Sequence, residues 1–210
     1  MASKRPKPLV LGLTGGPGVG KSEVGRFLAK KNALVINADT IGHEILANNN
    51  SVRMKLAKLL GREIVLEDGG LNRSVIGRKV FGNPELMHEF NRIIHPLLLR
   101  QLKNRIDRSV SKRRKLVVVD AALIFEWGIA DWFDFILVVH ARRAVRLRRL
   151  SNEGLSVNQA ARRIASQMPQ RDKLALADFV IENNSTRAIL KRKTFKFINE
   201  LEKSIHSRRS

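Results

Sequence analysis

A glycine-rich stretch that ends in Lys21-Ser22 carries the clearest chemistry in this sequence. Gly15, Gly20, Lys21 and Ser22 have the spacing G-x-x-x-x-G-K-S, between an apolar run and a helical pattern. In such a loop, backbone N–H groups surround phosphates, the lysine reaches the outer phosphates and the hydroxyl meets magnesium. A glycine-rich turn without a ligand is the alternative. We interpret the stretch as a phosphate-binding loop that contacts ATP through Gly15, Gly16, Pro17, Gly18, Val19, Gly20, Lys21 and Ser22.

Two carboxylates follow predicted strands and are placed to act on bound phosphates. Asp39 follows a short apolar run, and Asp120 ends the run LVVVD. Asp39 can take or orient a proton from an acceptor hydroxyl, or it can cap the helix that follows. Asp120 can act on magnesium through water, or it can form the turn after its strand. We therefore predict Lys21 and Asp39 as catalytic residues, and Ser22 and Asp120 as the metal-binding pair.

Arginines gather between residues 142 and 171. A mobile lid that closes on phosphates and excludes water needs such cations. Arg149, Arg162 and Arg163 are the candidates for a phosphate contact, and the alternative for each is a solvated helix face. We expect one arginine of this segment to contact the nucleotide.

Alternating apolar runs and helical patterns predict an α/β fold, with a parallel P-loop sheet flanked by helices. The predicted strands cover residues 10–13, 33–36, 116–120, 135–139 and 179–181. Residues 48–115 form a mostly helical insertion, within which Pro96 either ends one helix or opens the next. We expect a core made of residues 1–47, 116–140 and 175–210, a helical substrate-binding insertion at 48–115 and a helical lid at 141–174.

The charge balance favours polyanionic ligands. The chain has 40 Lys and Arg against 19 Asp and Glu, a formal net charge of +21. Nucleic acid is the alternative partner that this charge suggests. However, the basic clusters at 112–115, 142–149 and 191–196 are spread along the chain, and tyrosine is absent. Since stacking platforms for single strands would be scarce, we do not predict nucleic-acid binding.

Composition also limits the class and compartment of the protein. The 210 residues, 43% of them hydrophobic, suffice for one substantial core with additions. Cysteine is absent, which excludes disulfides and thiolate chemistry. No apolar run reaches the roughly 18 residues of a membrane span, and the first eight residues lack the apolar centre of a signal peptide. We expect a cytoplasmic protein, as a monomer or small homo-oligomer.

Several motifs in one order resemble the dephospho-CoA kinase family. LGLTGGPGVGKSEV is similar to that family's opening loop, and VINADTIGHEIL to its Asp-Ala-Asp segment. LNRSVIGRKVF, followed by FNRIIHP, is similar to its substrate-domain signature. DAALIFEWG resembles its Pro-Leu-Leu-Phe-Glu segment, and RIASQMPQRDKLALADFVIENNST resembles its lid and last strand. The resemblance covers about residues 9–187.

The resemblance implies transfer of the γ-phosphoryl group of ATP, with Mg²⁺, to the ribose 3′-hydroxyl of dephospho-CoA. The products would be CoA and ADP, in the last step of CoA biosynthesis. By position, Asp39 matches the proposed catalytic aspartate, Arg73 and His95 match substrate-domain residues, and Asn183 matches an asparagine near the adenine. We assign the coenzyme substrate to Asp39, His43, Arg73 and His95. The alternatives are another nucleotide or small-metabolite kinase and a nucleic-acid-binding P-loop ATPase.

Four positions depart from the family pattern. Asn37 replaces the first Asp of the Asp-Ala-Asp segment, Asn72 replaces an Asp, and Ala122 replaces a Pro. The segment RRLSNEGLS is one residue shorter than the family's arginine-bearing lid segment, and Asn152 stands near the expected arginine. We therefore expect the lid's phosphate contact to come from Arg149 or a neighbour.

Overall fold

The computed structural model describes residues 8–81, 83–110 and 116–207, with side chains described as far as residue 203. The chain forms two compact units, the first made of residues up to 36 and from 108 onward, the second of residues 37–107. The predicted basic cluster at 112–115 lies outside the described residues.

Five strands form one sheet in the first unit. They are β1 (Leu9–Thr14), β2 (Leu34–Asn37), β3 (Leu116–Asp120), β4 (Phe135–His140) and β5 (Phe179–Glu182), in the order β2-β3-β1-β4-β5. β1 pairs in parallel with β3 and β4, and β4 pairs in parallel with β5. These strands therefore end at one edge, where ligands bind in open parallel sheets. The predicted α/β fold with a parallel sheet is confirmed.

Nine α-helices lie within the described residues. They are α1 (Lys21–Ala29), α2 (Ala38–Asn48), α3 (Asn50–Leu60), α4 (Arg73–Phe81), α5 (Pro84–Val110), α6 (Arg143–Asn152), α7 (Val157–Ala165), α8 (Gln170–Ala175) and α9 (Arg187–Ser207). Short 3₁₀ helices cover Arg62–Ile64 and Ala130–Trp132. None of the described helices is both long and apolar enough to cross a membrane.

The core of the first unit lies where α1 and α9 pack against the sheet. Leu11 and Leu13 of β1 are fully buried together with Phe27 of α1 and Phe197 of α9. Strands covered on both faces read as continuous apolar runs, and β1, β3 and β4 are buried in this way. This packing holds the end of β1, and so the start of the phosphate loop, in a fixed position.

The second unit is helical and has its own core. Its buried side chains follow the i, i+4 spacing of amphipathic helices. They are Ile41 and Ile45 of α2, Val52, Leu56 and Leu60 of α3, Ile76 and Val80 of α4, and Ile94, Leu98, Leu102 and Ile106 of α5. These stripes bury the apolar faces of α2, α3, α4 and α5, while charged residues occupy the opposite faces.

Helix α5 runs without interruption through Pro96, which the sequence left as a helix end or a helix start. A proline inside a helix removes one backbone hydrogen bond and costs about 3 kcal/mol. The buried stripe of Ile94, Leu98, Leu102 and Ile106 continues on both sides of it, whereas Pro96 is exposed. Burial of four large aliphatic side chains offsets the cost, since each contributes about 1.5–3 kcal/mol.

Candidate active site

The loop between β1 and α1 has a backbone that glycine makes possible. Gly15 has φ +150, and a Cβ there would collide with the carbonyl oxygen of Val139. Gly20 has φ +87 and caps α1, and a Cβ there would strike the Asn183 amide. α1 then begins at Lys21, so its unpaired N–H groups and positive dipole end face the loop. Such a helix start is a binding site for phosphate.

Lys21 forms an ion pair with Asp120 directly at this loop. The pair is almost wholly buried, with 10% of the Lys21 side chain and 3% of the Asp120 side chain exposed. Strand pairing explains the contact, because Leu13 of β1 lies beside Asp120 at the end of β3. The structure thus brings together two residues that are 99 positions apart in the chain.

Oxygen ligands for a hard cation are present at the same place. Ser22 is exposed in the first turn of α1, and Asp120 presents a carboxylate to the loop lysine. Over the residues that the structure describes, three or more His, Cys, Asp or Glu do not gather into a metal cluster. Mg²⁺ in nucleotide sites is held by one or two protein oxygens together with phosphates and water, so this donor set fits it.

Asn183 and Arg149 hold the second half of the loop. The Asn183 side-chain amide, which is buried, donates to the Val19 carbonyl at 2.8 Å. The Arg149 guanidinium donates to the carbonyls of Gly18 at 3.2 Å, Val19 at 3.3 Å and Asn183 at 3.1 Å. Burial lowers the pKa of Arg149, and the neighbouring Arg148 lowers it further. Arg149 therefore contacts the loop backbone from α6.

Arg146 is a site residue outside the set of arginines that the sequence singles out. This side chain is only 6% exposed, and its Nε donates to the Pro17 carbonyl at 2.9 Å. Helical spacing could have identified it. Arg146, Arg149 and the buried Leu150 lie at i, i+3 and i+4, and therefore on one face of α6. Arg162 and Arg163, the other predicted candidates, are exposed on α7.

Asp39 does not cap α2. The cap is Asn37, whose side-chain oxygen accepts a hydrogen bond from the Thr40 backbone N–H at 3.0 Å. Asp39 lies inside the first turn and is exposed, so the interpretation of Asp39 as a helix cap was wrong. Asn72 acts alike at α4, accepting from the Val75 N–H at 3.2 Å. Asparagine caps about as well as aspartate, so both departures from the family pattern keep a helix start.

The second unit brings His43 and Arg73 together. His43 lies four residues after Asp39, so the two side chains share one face of α2. The Arg73 guanidinium donates to the His43 Nε2 at 2.5 Å, which makes the ring nitrogen an acceptor. His95 lies on α5, where burial lowers its pKa. Asp39, His43 and Arg73 are exposed and offer charged groups to a ligand.

Comparison with known proteins agrees with this geometry. The family model described as dephospho-CoA kinase matches residues 9–188. The chain belongs to the dephospho-CoA kinase family. A dephospho-CoA kinase of Syntrophotalea carbinolica is 37% identical over 179 residues, which covers 85% of each chain. A dephospho-CoA kinase of Bdellovibrio bacteriovorus is 35% identical over 192 residues, or 91% of this chain and 96% of that one.

A solved structure from Thermus thermophilus has the same fold. It matches with a TM-score of 0.76 and 30% identity, over 93% of this chain and 99% of that one. The resemblance to dephospho-CoA kinases that the motifs indicated is thereby confirmed, and this chain is a kinase. The roles of individual site residues stay predictions.

Proposed function

We propose that the protein transfers the γ-phosphoryl group of ATP to the ribose 3′-hydroxyl of dephospho-CoA, giving CoA and ADP. The observation that carries this proposal is the family match over residues 9–188, which spans both compact units. The phosphate loop with its Lys21–Asp120 pair supports the donor half. The exposed Asp39, His43 and Arg73 of the second unit support the acceptor half.

The donor half needs Lys21 to exchange partners. Its ammonium group forms an ion pair with the Asp120 carboxylate. A bound triphosphate offers a larger negative charge, so Lys21 turns to the outer phosphates and leaves the Asp120 carboxylate available to a cation. Ser22 and Asp120 would hold Mg²⁺, directly or through water. Mg²⁺, when bound, neutralises charge on the phosphates as the phosphoryl group moves.

The acceptor half depends on a carboxylate that can accept a proton. Asp39 is exposed, and Asn37 caps the helix in its place. We assign it to the ribose 3′-hydroxyl, whose hydrogen bond to the carboxylate orients the oxygen for attack and receives its proton. Arg73 and His43 would bind an anionic group of the coenzyme, since a guanidinium recognises phosphate with paired N–H donors. His95 completes the predicted acceptor set.

A coupled assay for ADP release tests the proposal. The purified chain would receive Mg-ATP with dephospho-CoA, with a panel of nucleoside monophosphates, or with single-stranded DNA. We expect ADP to form with dephospho-CoA and to fall to background in the Lys21→Ala variant. Release that depends on a nucleoside monophosphate would favour another small-molecule kinase. Release that depends on DNA alone would favour a nucleic-acid-binding ATPase and overturn the proposal.

Two further expectations accompany this function. We predict a cytoplasmic location, because the proposed reaction needs a compartment that supplies both ATP and the coenzyme precursor. A monomer or small homo-oligomer is predicted, and gel filtration with light scattering measures its mass.

A further inference from the structure

A cavity of about 330 Å³ lies against Gly16, in the first half of the phosphate loop. Gly16 of the loop and Arg146 of α6 line one part of it, and Gln170 and Lys173 of α8 line another. The lining is completed by the end of α7, with Ile164 and Ala165, and by the connection from α7 to α8, with Gln167, Met168 and Pro169. All these residues belong to the first unit.

The two cations of this cavity differ in their charge balance. Lys173 is 2% exposed, but it is neutralised by Glu126 at 2.9 Å and also donates to the Ala122 carbonyl at 2.7 Å. Among the described residues, Arg146 donates to neutral acceptors, the Pro17 carbonyl at 2.9 Å and the Gln170 side-chain oxygen at 3.4 Å. Within the described ranges, no carboxylate pairs with the Arg146 guanidinium.

A buried guanidinium without a counter-charge is unfavourable. Burial lowers the pKa of Arg146, and the nearby cation Arg143 lowers it further. Removing a charge from water costs several kcal/mol unless an opposite charge is supplied. An anion that enters the cavity would supply that charge, and a planar guanidinium suits phosphate because two N–H groups can bind two oxygens.

The part of the phosphate loop that Arg146 contacts decides which phosphate its guanidinium would bind. Its terminal nitrogen is so close to Gly16 that a Cβ there would lie 2.5 Å from it. Asn183, assigned to the adenine side, contacts Val19 at the other half of the loop. The outer phosphates of a nucleotide lie away from its adenine, and so towards Gly16 and Pro17.

We propose that Arg146 binds the terminal phosphate of ATP from the cavity between the phosphate loop and α8. This inference rests on the proposed function, because it assumes that the loop binds ATP. Arg149 has a different role, since its guanidinium donates to two backbone carbonyls on the second half of the loop and to the Asn183 carbonyl. Arg149 positions the loop, whereas Arg146 discriminates a triphosphate from a diphosphate.

Calorimetric titration with a non-hydrolysable ATP analogue and with ADP, without any acceptor, tests this role. For Arg146→Gln we expect affinity for the ATP analogue to fall about 10- to 100-fold, which is the loss expected when a charge-assisted hydrogen bond is removed. Affinity for ADP should change less than about 3-fold, because the terminal phosphate is absent. Arg146→Lys keeps the buried charge and should lie between the wild type and Arg146→Gln. Arg148→Gln, an exposed arginine of the same helix, is the matched control.

Two outcomes would overturn the proposal. Equal losses for ADP and the ATP analogue, as expected for Arg149→Gln, would make Arg146 a loop-positioning residue and overturn the proposal. Unchanged affinity for both nucleotides would also overturn it. If Arg146→Gln fails to fold, the Arg146→Lys variant decides by the same comparison. The absence of any acceptor keeps this test separate from the proposed function, which fails only if dephospho-CoA does not stimulate ADP release.

Discussion

Lys21 at the start of α1 and Asp120 at the end of β3 neutralise each other in an almost wholly buried ion pair. The main cation of the phosphate loop is therefore paired with the carboxylate that we assign to the metal. Nucleotide binding must replace this contact, which couples the donor site to the stability of the first unit.

Lys21→Ala is expected to abolish turnover and also to destabilise the protein. The transferring phosphoryl group loses its main cation, an effect of about 100-fold or more on kcat. Asp120 loses its partner while almost buried, which costs about 3 kcal/mol in the free energy of unfolding. Urea unfolding and the ADP assay measure the two effects, with the exposed Lys30→Ala as control.

The double variant Lys21→Ala/Asp120→Asn separates these effects. It should regain part of the lost stability, because the buried charge is removed, but none of the activity. A Lys21→Ala variant with kcat near that of the wild type would remove the loop lysine from the chemistry.

Asp39→Asn and Asn37→Ala should have opposite consequences. Asn37→Ala removes the cap of α2 and should lower the free energy of unfolding by about 1 kcal/mol, with kcat largely kept. Asp39→Asn leaves that cap in place, so stability should change by less than about 1 kcal/mol through the helix dipole. Its kcat should fall about 100- to 10,000-fold if the carboxylate accepts the proton. The opposite pattern, lost stability with kcat kept in Asp39→Asn, would make Asp39 a structural residue.

Arg73→Ala should weaken binding of the coenzyme substrate alone. Its guanidinium is exposed and contacts only the His43 ring among the described side chains, so its loss should cost little stability. We expect KM for dephospho-CoA to rise about 10-fold or more, as for a lost charge-assisted hydrogen bond, and KM for ATP to stay unchanged. Initial-rate kinetics with each substrate varied give both constants. Arg78→Ala, another exposed position of α4, is the control, and an equal rise in both KM values would contradict the assignment.

His95 should make the stability of the protein fall in mild acid. Burial lowers its pKa in the folded state, while in the unfolded chain its pKa is about 6.5. As the pH falls through 6.5, the unfolded state binds the proton first, so the free energy of unfolding decreases. The loss continues until the pH reaches the lower pKa of the folded state.

Urea midpoints at pH 7.5 and 5.5 measure this contribution. The wild type should lose more stability between these values than His95→Gln, whereas His88→Gln, at an exposed position of the same helix, should behave as the wild type. The same pH dependence in wild type and His95→Gln would contradict the effect.

The sequence predicted the fold correctly where the signal was local. β3 is a buried apolar run, and β5 is a short apolar run with only Ile181 buried. The start of α7 carries an equally local signal, a capping box of Ser156 and Gln159 with bonds of 3.2 Å and 2.9 Å. Pro96 was ambiguous because its helix depends on tertiary burial of Ile94 and Leu98, which outweighs a local rule.

The sequence predicted only part of the candidate site, for a physical reason. The loop spacing located Lys21 and Ser22, but Arg146 is one of several arginines in a run that is typical of a solvated helix face. Its burial depends on contacts with Pro17 and Gln170, which are distant in sequence. Asn37 as the cap of α2 could have been found, since Asn before a helical pattern is a capping signal.

The identity and position of the transferred phosphate test the central claim most directly. The protein would be incubated with Mg-ATP carrying a labelled γ-phosphate and with dephospho-CoA, and the product analysed by mass spectrometry and ³¹P NMR. We expect one labelled phosphate per molecule on the ribose 3′-oxygen, and no product with Lys21→Ala. Label found only in free phosphate, or on any other acceptor position, would contradict the account.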